Sequence, residues 1–87
     1  MKKLIKVTQK HIDKGEPTKA RFCPITLAVA DATGGLHVAT GNIITSWHDP
    51  VRGHRSGELP RSAKRFISKF DSKNKVKPFN FYLDIPD

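Results

Sequence analysis

One cysteine, one methionine, one tryptophan and one tyrosine are spread over 87 residues, and eight acidic side chains face sixteen Lys and Arg. A single thiol, Cys23, makes no internal disulfide, which fits a reducing compartment. No apolar run approaches the roughly 18 residues of a transmembrane helix, so no such helix and no membrane partner are expected. The opening, MKKLIKVTQKHIDKG, has lysines but neither a continuous apolar stretch nor a small-residue cleavage site, so no secretory leader is expected. Paired CxxC, HxxxH and HExxH spacings are missing, as are a GxGxxG fingerprint, a P-loop and any zinc-finger or RRM signature.

What remains is a small, basic, foldable chain. Its length fits one domain, residues 1–87. A hydrophobic fraction of 37% with mean hydropathy −0.48 is polar, yet sufficient for a modest core. The net charge of +8 is uneven. Residues 1–21 carry seven bases against two acids, and residues 52–77 carry nine against two. Between them, residues 22–51 hold Asp31 and Asp49 and no base. Two basic blocks around a nearly neutral centre favour phosphates or acidic protein surfaces, by an attraction that salt weakens.

Periodicity sets out the elements. Leu4–Val7 predicts a first strand, and Thr8 and Gly15 bracket a short helix over Gln9–Lys14 as N-cap and C′ residues. Pro24 opens a second helix that runs to Ala32, with Thr33-Gly34-Gly35 as its stop. Leu36–Thr40 and Asn42–Ser46 are extended segments around Gly41, either a tight hairpin or one strand with a glycine bulge. WHDPVRGHRSGE, residues 47–58, is expected to be the longest loop, and loops on a rigid scaffold commonly carry function. Ala63, Phe66, Ile67 and Phe70 then fall at i, i+3, i+4 and i+7, the stripe of an amphipathic helix opened by Pro60. Phe79, Phe81, Leu83 and Ile85 alternate with polar residues, the pattern of a half-buried strand. The expected fold is α+β: two or three helices on one face of a short antiparallel sheet of about four strands.

Several of these stretches carry a resemblance. Cys23-Pro24-Ile25-Thr26-Leu27-Ala28, Leu59-Pro60 followed by Phe66-Ile67 and Phe70-Asp71, and Val76-x-Pro78-Phe79-x-Phe81-x-Leu83 resemble a group of small uncharacterised proteins encoded by bacteriophages and some bacteria. The opening Thr8–Gly15 is similar to the start of those proteins, and the likeness spares mainly residues 47–58. Its motifs are structural, and it implies no particular activity. It implies a phage or mobile-element accessory gene acting in a bacterial cytoplasm, where such proteins often bind and block something of the host.

His11, Cys23, His37, His48 and His54 lack the close pairing of a zinc site, so neither metal nor cofactor is expected. Cys23 sits before a helix N-terminus, where the helix dipole stabilises a thiolate, and His11 is the nearest conceivable base. Against this, a lone cysteine is most often a small buried hydrophobe. No catalytic residue is therefore assigned, and no enzyme is expected. The stronger signal is a basic cluster: Arg52 and Arg55 in the 47–58 segment, then Arg61, Lys64, Arg65 and Lys69 on the exposed side of the following helix. Arginine meets phosphate with a planar fork, and Trp47 and His54 offer stacking or hydrogen bonding. The expected function is binding of a phosphate-bearing partner, nucleic acid or a small nucleotide, to counter a host defence or process. The alternatives are an inhibitor that docks its basic face on an acidic host protein and a small enzyme using Cys23 or a histidine. Self-association as a homo-oligomer through an exposed strand edge stays open.

Overall fold

The two ends of the chain lie side by side. In the computed structural model, which describes residues 2–85, strand β1 (Lys2–Val7) pairs antiparallel with strand β5 (Phe79–Asp84), from Lys2 opposite Asp84 to Val7 opposite Phe79. Between them run α1 (Gln9–Lys14), α2 (Pro24–Thr33), β2 (Leu36–Thr40), β3 (Ile44–Asp49), β4 (Gly53–Glu58) and α3 (Arg61–Asp71). The strands form one antiparallel sheet in the order β1-β5-β4-β3-β2.

Alternation decides which face is buried. Ile5, Val7, Val38, Trp47, Phe81 and Leu83 turn inward and join Ile25, Ala28 and Val29 of α2 with Ala63, Phe66, Ile67 and Phe70 of α3 in one core. Leu4, Ile44 and Tyr82 lie on the opposite side of their strands and are exposed. This is an α+β domain with three helices and a five-stranded sheet. Phe66 stacks on Phe79 with centroids 4.8 Å apart, and Phe79 on Phe81 at 5.6 Å, so an aromatic ladder joins α3 to β5.

Strand β4 corrects the expectation of a long loop over residues 47–58. Ile44–Asp49 and Gly53–Glu58 form a regular hairpin, with Trp47 opposite Arg55 and His48 opposite His54. Its turn is held by Asp49, whose Oδ1 accepts hydrogen bonds from the backbone N–H of Val51 (2.8 Å) and Arg52 (3.0 Å). Gly53 closes the turn at φ 81°, a left-handed conformation that costs glycine nothing. The sequence GHRSGE has little intrinsic strand preference, so pairing on β3 and packing against β5 decide its state. Gly57 is pressed beneath Leu83: a Cβ there would lie 2.8 Å from Leu83 Cγ.

The stretch around Gly41 is a tight hairpin, the Gly41 N–H donating to the Ile44 carbonyl at 2.9 Å. The irregularity lies upstream, between Leu36 and Ala39, where His37 takes φ 55°. Pro60 is the N-cap of α3, one residue before the helix proper. Gly15 ends α1 with an extended backbone, φ −71°, and not with a left-handed C′ geometry. Its missing side chain serves close approach instead, since a Cβ would meet Pro24 Cγ at 2.6 Å.

Candidate functional site

The outer face of α3 follows from the stripe that buries its inner face. With Ala63, Phe66, Ile67 and Phe70 committed to the core, Arg61, Lys64, Arg65 and Lys69 are left in solvent. The first turn of the helix holds no acid, and Pro60 supplies no side-chain cap. Among the described residues, no carboxylate lies within ion-pair distance of these four cations.

Arg65 and Lys69 also line a groove of about 480 Å³ between α3 and the segment leading into β5. Its other walls are Ser62, Phe66, Lys75, Val76, Lys77 and Phe79. Four cations and three apolar side chains therefore share one concavity, with no acid in its lining. Lys75 and Lys77 lie outside the basic cluster that the sequence singles out. Phe79 was assigned to the core alone, yet it is half-buried and forms part of the wall.

The remaining candidates sit elsewhere. Trp47, Arg52 and Arg55 line a second cavity of about 130 Å³ with Lys3, Thr33, Asp49 and Ile85. Trp47 is only 4% exposed, packed against Gly35, so it presents a core side chain at the cavity wall and not an open ring. Arg52 stands exposed in the hairpin turn, whereas Arg55 is half-buried. His54, opposite His48, belongs to the other side of β4 from Arg55, because neighbouring residues of a strand face opposite ways. The two cavities share no residue, and Arg61, Lys64 and His54 line neither.

Electrostatics separates the two places further. In the hairpin cavity the Asp49 carboxylate is held below its ordinary range, chiefly by the Arg52 backbone N–H and next by that of Val51. Asp49 is thus a fixed negative charge beside Arg52, which opposes a second anion there. The α3 groove has no such competitor.

No family model, curated protein or solved structure matches the chain.

Cys23 and His11 do not meet as nucleophile and base. Cys23 is buried at the N-cap of α2, and burial pushes its thiol upward against the weaker pull of the Ile25 and Thr26 backbone N–H groups. His11 is occupied at both ring nitrogens. Nδ1 accepts from the Thr8 backbone N–H at 3.0 Å, and Nε2 lies 2.6 Å from Asp31 Oδ2. Among the described residues, no three His, Cys, Asp or Glu side chains gather as they would to hold a metal ion, and no helix is long and apolar enough to cross a membrane.

Proposed function

We propose that the protein binds a phosphate-bearing partner through the outer face of α3 and the segment that follows it. One observation carries this reading. Arg65, Lys69, Lys75 and Lys77 line a single groove whose walls, among the described residues, include no acid, and Arg61 and Lys64 extend the charge along the helix. Such a surface attracts phosphates over about a Debye length and holds them by charge-assisted hydrogen bonds. The hairpin residues Arg52 and Arg55 play a lesser part in this reading, because Asp49 shares their cavity.

On its resemblance to phage-encoded proteins, the chain acts on a process of a bacterial host, with the phosphate belonging to host nucleic acid or nucleotide. The test is titration of a fluorescein-labelled thymidylate oligonucleotide, followed by anisotropy at several salt concentrations. Binding should weaken steeply with salt, and replacing Arg61, Lys64 and Arg65 together by alanine should abolish it while circular dichroism stays unchanged. Undiminished affinity in that variant would sink the assignment.

A further inference from the structure

The groove beside α3 is more than a charged surface, because its chemistry is segregated. Arg65, Lys69, Lys75 and Lys77 supply the charge, Ser62 a hydroxyl, and Phe66, Val76 and Phe79 an apolar wall. The wall is a fixed aromatic assembly: Phe66 and Phe79 stack at 4.8 Å and 29°, backed by Phe81 against Phe79 at 24°. The groove is open to solvent and, at about 480 Å³, has room for a small organic ligand to lie along it.

We propose that this groove takes a nucleoside phosphate whose base is unpaired, the cations holding the phosphate and the half-buried Phe79 ring the base, with Phe66, only 6% exposed, as the support behind it. The proposal rests on the phosphate reading above and narrows it. Inorganic phosphate, a sulfated polymer or an acidic peptide would satisfy the cations and leave the apolar wall without a partner. A nucleoside phosphate uses both, since every base has a π-face that stacks on an aromatic ring whatever the sequence. A regular duplex keeps its bases stacked inside the helix, so only its backbone could reach the groove. The unpaired base can belong to a single strand or to a free nucleotide, and the chemistry of the site is the same for both.

The experiment compares two labelled strands of equal phosphate number at one salt concentration, a thymidylate oligonucleotide and its abasic counterpart. The thymidylate strand should bind about tenfold more tightly or better, the worth of one stacked base. Phe79→Leu keeps an apolar side chain against Phe66 and Phe81 while removing the ring. It should erase most of that preference and leave the abasic strand's affinity unchanged. Lys75→Glu with Lys77→Glu, at exposed positions that the fold does not need, should weaken both strands. Displacement of the thymidylate strand by thymidine monophosphate identifies a free nucleotide as sufficient. A preserved preference without such displacement identifies the strand.

Equal affinity for the two strands overturns the base-binding proposal and leaves the phosphate reading standing. Failure of both to bind overturns both. A tenfold preference that survives in Phe79→Leu, or binding indifferent to the two glutamates, overturns the placement in this groove.

Discussion

His11 Nε2 stands 2.6 Å from Asp31 Oδ2 and so ties a six-residue helix to α2. The other ring nitrogen accepts from the Thr8 backbone N–H, which places the imidazole proton on Nε2 and makes His11 the donor to Asp31. Histidine here takes the third helical position that Glu or Gln holds in most capping boxes. A helix this short has no stability of its own, so the pair and the cap hold it in place.

His11→Ala should therefore lower the unfolding free energy by about 2 kcal/mol, from the lost cap and the lost buried ring. Asp31→Ala should cost less, about 1 kcal/mol, since the Asp31 side chain is 76% exposed. Urea denaturation of both single variants and the double variant measures the coupling. An additive double variant would show that the 2.6 Å contact contributes nothing.

Gly35 lies against the only tryptophan. A Cβ at Gly35 would approach Trp47 Cγ to 2.7 Å, so Gly35→Ala must push the indole out of its seat. The expected cost is about 1–3 kcal/mol, with a red shift of tryptophan emission as the ring meets water. An unmoved emission maximum would contradict the packing described for β3.

Phe66→Ala should cost about 3–5 kcal/mol, because Phe66 touches both Phe70 and Phe79. Alanine at Lys64, two residues earlier but exposed, should stay within about 0.5 kcal/mol of the parent. Thermal melts of the two variants separate the inner face of α3 from its outer face.

Burial raises the Cys23 thiol, so at neutral pH the native protein should alkylate far more slowly than its denatured form. The sign for stability follows from the same shift. Unfolding exposes a thiol that ionises more readily, so this contribution is intact below the ordinary thiol range and is lost as pH rises from there through the raised native value. Rapid native labelling with iodoacetamide at pH 7 would refute the buried position.

Asp49 behaves in the opposite sense. Its carboxylate is stabilised by the Arg52 and Val51 N–H groups, so its contribution is present above the ordinary aspartate range and disappears as pH falls through the lowered value. A carboxyl titration by NMR should place Asp49 below the ordinary aspartate range, and Asp49→Ala should loosen residues 50–52 in hydrogen exchange. A midpoint in the ordinary aspartate range would mean that the turn bonds do not persist in solution.

How much of this was legible depends on whether a residue's role is local. α3 could be read outright, because the spacing of Ala63, Phe66, Ile67 and Phe70 fixes both its buried face and its basic one. β4 could not, since Gly53–Glu58 owes its state to β3 and to the press of Leu83 on Gly57. Trp47 held an unused hint: it stands two residues from Thr45, the spacing that continues a strand with both side chains inward. At the site, Arg65 and Lys69 were visible as exposed helix positions. Lys75, Lys77 and Phe79 join them only because the chain doubles back beside α3, a tertiary event that no short window encodes.

The β1–β5 ladder begins with Lys2 opposite Asp84. Both strands therefore leave the sheet at the same end. Tension applied from there opens the rungs one after another, and the ladder never bears the load in parallel. On its other side β5 is tied to β4 by a single register pair among the described residues, Glu58 with Asp84, so the core packing of Phe81 and Leu83, and not further backbone rungs, resists the peeling front. Traction applied where Lys2 faces Asp84 would meet a zipper, and the mechanical lifetime of the domain under such traction should be shorter than its resistance to urea suggests.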